Sequence, residues 1–215
     1  QMKYQRMAPG IFLDRPNRFI AHVDLEGKRE TVHVKNTGRL QELLMPEAKV
    51  TLQKTLNPNR KTAYDLISVY KPKLKWVNID SLAPNALMKQ LYMSLNYDLV
   101  KAEYTYGDSR IDFYMEKNGE KFLTEVKGCT LADDLHPGIG LFPDAPTERG
   151  VKHLQELTKA AKEGYRTAIA FVIQMNGIHR VMPNEAAQPE FKEALVKAAK
   201  EGVQIVCYSC HVEAD

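Results

Sequence analysis

The chain has 215 residues, of which 44% are hydrophobic and 27% are charged, and its net charge is +3. No apolar run approaches the roughly 18 residues that a membrane-spanning helix needs, so the composition excludes a helical membrane protein. The small net charge means that any affinity for a polyanion must come from a local cluster of basic residues. Because no secretory signal is recognisable, we expect a cytoplasmic protein with no membrane partner.

Short β-like runs separated by turn residues fill the first third of the chain. They cover residues 19–25, 30–34, 49–52 and 63–69. Apolar and polar side chains alternate in the first run, which is typical of half-buried strands. We therefore predict an all-β domain over residues 1–79. A small barrel of the oligonucleotide-binding (OB) type is the simplest solution, although the even spacing of the strands also fits a sandwich.

The pattern changes near residue 80, where helical periodicity begins. Helices are predicted over residues 84–95, 147–163 and 189–201. Buried strands are predicted over residues 167–173 and 203–208, on either side of the third helix. A strand, a helix and a strand in this order indicate a parallel pair with a right-handed crossover. Residues 80–215 are therefore predicted to form an α/β domain.

A C-x-x-C-H pattern, formed by Cys207, Cys210 and His211, lies at the end of the last predicted strand. Such a pattern also marks haem attachment, and Cys129 offers a further ligand for a zinc site. Haem attachment of this type usually belongs to exported proteins, however. We therefore interpret the cysteines as reduced thiols, with the pair at the end of a buried strand.

Residues 101–127 are the most informative stretch, and we predict three strands joined by two tight turns. Asn118-Gly119 is a strong hairpin signal, because both central residues of a type I′ turn need positive φ. With these two residues as the loop, Asp112 lies opposite Glu125. A type II′ turn at Gly107-Asp108 then places Glu103 opposite Asp112. The sequence therefore predicts a row of three carboxylates across three strands.

Like charges that face each other on a sheet destabilise it, so we expect a cation to hold this row. Glu103, Asp112 and Glu125 are oxygen ligands of the kind that Mg²⁺, or Mn²⁺, accepts. Lys127 projects from the same face as Glu125 and is placed to orient a nucleophile or stabilise an oxyanion. Asp112, Glu125 and Lys127 are therefore the predicted catalytic residues of a phosphodiester hydrolase. The alternative is an ordinary solvated hairpin face, on which the acids pair with Arg110 and Lys127.

Asp112 followed by Glu125-Val126-Lys127 resembles the PD-(D/E)XK signature of restriction-endonuclease-like proteins, with Ile111 where the signature has proline. Around it, nearly the whole chain resembles the sugar fermentation stimulation protein A (SfsA) homologues. The motifs that carry this resemblance are RPNRF at 15–19, HVKNTGR at 33–39, ELL at 42–44, SRIDF at 109–113, EVKGCT at 125–130, FPD at 142–144 and TERG at 147–150. The resemblance implies an α/β (α+β) protein with an N-terminal OB-like β-barrel and a restriction-endonuclease-like mixed-sheet domain. It also implies non-specific DNA binding.

Basic residues in both domains are candidates for contacts with nucleic acid. Arg149 and His153 lie four residues apart near the positive end of a helix, which favours phosphate binding. Surface ion pairs with acids such as Glu156 explain them equally well. The N-terminal candidates cluster around strands and turns: Arg15, Arg18, His33, Lys35 and Arg39. Phe19, beside them, is able to stack on a base, but we expect it in the core.

The leading hypothesis is a DNA-binding protein with a metal-dependent phosphodiesterase site. The first alternative is a DNA-binding regulator of sugar metabolism genes that has no turnover. The second is a carbohydrate-related enzyme or sensor, for which no sugar-specific pattern is visible. The oligomeric state stays open, with a homodimer among the options.

Overall fold

The computed structural model describes residues 1–215 and contains two compact units. Unit 1 comprises residues 1–82, 174–177 and 210–215, and unit 2 comprises residues 83–173 and 178–209. None of the helices combines the length and apolar composition that a membrane crossing requires.

Unit 1 is built from six strands. They are β1 (Met7–Asp14), β2 (Ile20–Leu25), β3 (Lys28–Val34), β4 (Lys49–Lys54), β5 (Tyr64–Lys71) and β6 (Lys75–Asn78). The sheet order is β3-β2-β1-β4-β5-β6, and a further parallel pairing of β3 with β5 closes five strands into a barrel. The predicted OB-like barrel is therefore confirmed, because the closing pair excludes a sandwich.

Strand β1 was not predicted, although it pairs with both β2 and β4. Its sequence contains Pro9 and Gly10, which weaken the strand pattern. Gly10 permits a close approach, because a Cβ there would lie 3.3 Å from a methyl carbon of Leu52 and 3.4 Å from the carbonyl oxygen of Asp24. Gly10 thus weakens the strand pattern in the sequence but allows β1 to pack closely against its neighbours.

Unit 2 contains a mixed five-stranded sheet, a small three-stranded sheet and three helices. The helices are α1 (Ala83–Ser94), α2 (Glu148–Lys162) and α3 (Pro189–Lys200). The strands are β7 (Leu99–Tyr106), β8 (Ser109–Lys117), β9 (Glu120–Cys129), β10 (Leu131–Ala132), β11 (Ile139–Phe142), β12 (Arg166–Ile173), β13 (Arg180–Pro183) and β14 (Gln204–Tyr208). The large sheet has the order β14-β12-β9-β8-β7, with β7, β8 and β9 antiparallel and β9, β12 and β14 parallel. The mixed sheet and the predicted parallel pair are confirmed.

Both predicted hairpin registers are confirmed. Asn118 and Gly119 have φ values of 51° and 78°, and β8 pairs with β9 from Phe113 opposite Thr124 to the turn. Gly107, with φ of 57°, begins the turn between β7 and β8. These left-handed conformations are accessible to glycine and asparagine, which is why the turn residues fix the register.

The β8–β9 hairpin is covered on both faces, whereas the alternative interpretation of the sequence was a solvated charged face. Tyr92 of α1 contacts Phe113 on one face, with ring centroids 5.2 Å apart. His153 of α2 contacts Glu125 on the other face, where Leu123 is fully buried. Glu125 is only 2% exposed as a result. The alternative of a solvated hairpin face is therefore wrong for this acid.

One further expectation about unit 2 needs correction. The last strand was predicted to be buried, but β14 lies at the edge of the large sheet and Ile205 is 40% exposed. The neighbouring strands, which the local pattern does not reveal, decide this environment. Residues 128–146, although rich in proline and glycine, contain β10 and β11.

Candidate active site

The candidate site lies where the ladder between β8 and β9 stops. The last paired residues are Phe113 and Thr124. Beyond them, Oε2 of Glu125 accepts a hydrogen bond from the backbone N–H of Asp112 at 3.3 Å, and Oδ2 of Asp112 accepts one from the N–H of Val126 at 2.8 Å. These reciprocal bonds fix each acidic side chain on the opposite strand.

Asn85, near the start of α1, holds the second carboxylate oxygen of Asp112. Its Nδ2 atom donates to Oδ1 of Asp112 at 3.0 Å. Sequence analysis did not identify Asn85, because it lies 27 residues before its partner and a helical asparagine carries no signal of such a contact. Both oxygens of Asp112 are thus oriented by donors from outside β8.

Two nitrogen atoms, one from β9 and one from α2, meet beside Glu125. Nζ of Lys127 lies 3.6 Å from Oε1 of Glu125 and 3.0 Å from Nδ1 of His153, and that Nδ1 lies 3.0 Å from the same Oε1. An ammonium group only donates hydrogen bonds, and a ring nitrogen either donates or accepts. His153 therefore either donates to Glu125 or accepts from Lys127, and the cluster has two mutually exclusive hydrogen-bond arrangements.

The two acids differ in their electrostatic environment. Burial, followed by the nearby charge of Glu125, raises the pKa of Asp112 to about 6. Burial also acts to raise the pKa of Glu125, but the hydrogen bond with His153 and the charge of Lys127 outweigh it and hold this pKa below its ordinary value. The pair therefore combines one carboxylate whose charge its neighbours stabilise, Glu125, with one whose charge burial and Glu125 disfavour, Asp112.

Glu103 does not join the other two carboxylates as predicted. Strand β7 pairs with β8 at every position from Leu99 to Tyr106 except Glu103. Its φ of 57° departs from strand geometry, and its side chain is exposed. Glu103 therefore keeps its predicted place in the register, between the pairs Ala102–Phe113 and Tyr104–Ile111, but it does not complete a group of three acids that could hold a metal.

The donor set that remains for a metal ion consists of two carboxylates. No group of three or more His, Cys, Asp and Glu side chains is placed to hold a metal. Mg²⁺ commonly binds through one or two carboxylates and keeps several water ligands. Asp112 and Glu125, each bonded to the backbone of the other's strand, are two adjoining acids that fit that mode of binding.

Some of the predicted nucleic-acid contacts are engaged within the protein. The guanidinium of Arg15 donates to four backbone carbonyls. Lys35 lies 3.5 Å from Asp80 and 3.8 Å from Asp65. His153, only 5% exposed, faces Glu125 and not the surface. These contacts give the three side chains structural partners within the protein, and their phosphate contacts stay a prediction.

The other predicted contacts remain accessible to different degrees. Arg18, Arg39 and Arg149 are exposed. His33 is half-buried in β3, where that strand pairs with β5 to close the barrel. Arg149 and His153 were predicted to share one face near the positive end of the helix, but Arg149 is exposed whereas His153 is buried.

Two family models match the sequence. They are the sugar fermentation stimulation protein RE domain over residues 79–215 and the SfsA N-terminal OB domain over residues 13–79. The chain belongs to the SfsA family. The resemblance inferred from the sequence motifs is thus confirmed, together with the combination of an OB barrel and a restriction-endonuclease-like domain.

Curated relatives match this SfsA family member over nearly its full length. A sugar fermentation stimulation protein homolog from Ruminiclostridium cellulolyticum is 48% identical over 216 residues, which cover 99% of this chain and 94% of the relative. A homolog from Desulfitobacterium hafniense is 47% identical over 219 residues, which cover 100% and 93%. The solved structure of Pyrococcus furiosus SfsA in complex with Ca²⁺ aligns with a TM-score of 0.87 and 28% identity, over 99% of this chain and 92% of that chain.

Proposed function

We propose that this SfsA family member binds DNA and hydrolyses phosphodiester bonds with the help of a divalent metal ion. The proposal is carried by the convergence of Asp112, Glu125 and Lys127, the residues that match the PD-(D/E)XK signature. Lys127 Nζ lies 3.6 Å from Glu125 Oε1, and the two acids are joined by reciprocal bonds to each other's strand. Burial of an acidic pair beside a lysine has a stability cost that is commonly retained for function.

Each side chain has a separate task in the proposed reaction. Asp112, oriented by Asn85, and Glu125, oriented by His153, would hold the metal ion. When bound, the ion supplies a water of lowered pKa and neutralises charge on the phosphate. Lys127 donates a hydrogen bond to the attacking water or to the phosphate oxygen on which charge develops. His153 orients Glu125 or Lys127 by forming a hydrogen bond with one of these two side chains.

The choice of a divalent cation has independent support from the family. The Pyrococcus furiosus protein was solved in complex with Ca²⁺. Ca²⁺ and Mg²⁺ are both hard cations that take oxygen ligands, but Ca²⁺ accepts looser geometry. We therefore propose Mg²⁺ or Mn²⁺ as the ion that supports turnover in this chain.

The proposal is tested by incubating the protein with end-labelled single-stranded and duplex DNA across Mg²⁺ and Mn²⁺ concentrations. We expect metal-dependent cleavage that EDTA stops and that Asp112→Asn abolishes. Binding of the same DNA is measured in EDTA, so that loss of turnover is separated from loss of affinity. Cleavage that survives Asp112→Asn at an undiminished rate would contradict the proposal and indicate a contaminating nuclease.

A second candidate is a DNA-binding regulator without turnover. It is favoured by the lack of a three-residue metal cluster and by the internal contacts that already engage Lys127. If the wild-type protein binds DNA tightly but cleaves no substrate with any divalent metal, this second function replaces the first.

A further inference from the structure

Phe19 is an exposed aromatic side chain on a fixed backbone, although it was expected in the core. Its side chain is 58% exposed. Its backbone N–H donates to Oδ1 of Asn17 at 2.8 Å, and its carbonyl accepts from the N–H of Val34 at 2.8 Å. Isolated exposed apolar residues are common, so exposure alone indicates nothing. The backbone that carries this ring is, however, held by hydrogen bonds on both sides of its Cα, so that only the side-chain torsions have to be ordered when a ligand binds.

Arg15 forms the scaffold of the loop that carries this ring. Its Nη1 atom donates to the carbonyls of Gly38 at 2.6 Å and Arg39 at 3.0 Å. Its Nη2 atom donates to the carbonyls of Arg18 at 2.7 Å and Asn36 at 2.6 Å. The remaining donor, Nε, is buried and has no hydrogen-bond partner. One guanidinium thus links the loop between β1 and β2 to the segment that follows β3, and both of its Nη atoms are engaged by backbone carbonyls.

The side chains of Arg18 and Arg39 project from the two segments that Arg15 links. Both are exposed, and neither forms a salt bridge with an acidic residue. Burial, followed by the charge of Arg18, lowers the pKa of Arg15. Arg15 and Arg18 are therefore close together, Arg39 follows on the linked segment, and no acidic side chain pairs with Arg18 or Arg39, which makes this surface complementary to a polyanion.

We infer that Phe19, Arg18 and Arg39, together called the Phe19 surface, bind single-stranded nucleic acid. The exposed ring stacks on an unpaired base, and the two arginines contact the flanking phosphates. A duplex hides the faces of its bases inside the stack, so it meets the arginines but not the ring. A strand with free bases engages all three side chains. The inference rests on the nucleic-acid part of the proposed function and is independent of its phosphodiesterase part.

The role of the Phe19 ring is tested by a double-mutant cycle, in which the ring is removed from the protein and the bases are removed from the DNA strand. Fluorescence anisotropy in EDTA measures binding of a labelled oligothymidylate and of the same strand with abasic sites. Phe19→Leu keeps an apolar side chain and removes the aromatic face. We expect this change to weaken binding of the normal strand about tenfold, in the range of base–aromatic stacking, and to leave the abasic strand nearly unaffected. Met45→Ala, which alters another exposed apolar side chain of unit 1, is the matched control and should change neither affinity.

A second variant guards against loss of folding in the first. Phe19→Trp should retain binding, and its added fluorescence should be quenched by the normal strand but not by the abasic strand. An oligouridylate of the same length distinguishes RNA from DNA. Equal losses for Phe19→Leu on normal, abasic and duplex ligands would overturn the stacking role, as would a wild-type protein that binds no single strand. Binding is measured in EDTA, which prevents turnover. A protein that does not cleave DNA therefore does not contradict single-strand binding by the Phe19 surface, and a protein that does cleave DNA does not support it.

Discussion

Nδ1 of His153, in α2, lies 3.0 Å from Oε1 of Glu125, in β9. Lys127 Nζ lies 3.0 Å from the same ring nitrogen. The histidine therefore belongs to the carboxylate cluster and has no exposed face for phosphate. Its position connects the helix to the acid that the sequence motif identifies, and it supplies the first of four predictions.

His153→Ala should lower metal-dependent cleavage by a factor on the order of ten to a hundred, the usual effect of removing a group that orients a metal ligand. The metal concentration for half-maximal cleavage should rise, because Glu125 loses the bond that orients it. DNA affinity in EDTA should change little. His136→Ala, which removes an exposed histidine paired with Asp133, serves as the control. An unchanged metal requirement would show that His153 only fills space.

Lys127→Ala should reduce cleavage by a factor on the order of a hundred or more, because a preorganised charge is lost where negative charge develops. Ground-state DNA affinity should weaken only slightly. Excess Mn²⁺ should restore part of the activity of Asp112→Ala but none of that of Lys127→Ala. Lys121→Ala, on the same strand but exposed, is the matched control. Mn²⁺ rescue of the Lys127 variant would place this lysine outside the chemical step.

Asp112→Asn should stabilise the metal-free protein near neutral pH. The pKa of Asp112 is about 6 in the folded protein against an ordinary 3.8, so between these values the folded state binds more protons than the unfolded state. Stability of the wild type must then fall as pH rises through this window. The variant lacks this loss and should be more stable by about 1–3 kcal/mol at roughly pH 7.5, with the difference vanishing near pH 4.

Urea unfolding in EDTA, followed by circular dichroism at several pH values, measures this difference. Saturating Mg²⁺ should reverse the order by stabilising the wild type through mass action. If the wild type without metal is more stable than Asp112→Asn at every pH, the raised pKa of Asp112 is contradicted.

The arginines of unit 1 should separate into two classes in salt titrations. Arg18→Ala and Arg39→Ala should each reduce the slope of log affinity against log salt by about 0.7 on single-stranded DNA, one phosphate contact apiece. Arg15→Lys keeps the charge but loses the fork that binds four carbonyls. It should lower thermal stability and affinity while leaving the slope unchanged. A reduced slope for Arg15→Lys would show that Arg15 contacts a phosphate.

Local chemistry is enough to predict the hairpin that carries the site. Asn118-Gly119 accepts the positive φ of a tight turn, and once the turn is fixed every cross-strand partner follows. The turn residues alone therefore place Asp112 beside Glu125. The same reasoning fails at Glu103, because register alone does not report that the strand turns into the left-handed region at that residue.

Contacts between distant segments lie beyond the reach of such reasoning. Asn85 and His153 reach the carboxylates from α1 and α2, and the packing of these helices against the hairpin is not encoded in any local pattern. Likewise, Arg15 and Arg18 look alike as basic residues in one motif. Which of them uses its donors on backbone carbonyls, and whether Phe19 is buried, depends on how the loop meets the segment after β3. Turn residues and the alternation of apolar and polar side chains act between near neighbours in the sequence. The burial of a side chain and the partners of its hydrogen-bond donors depend on distant segments that the tertiary fold places next to it.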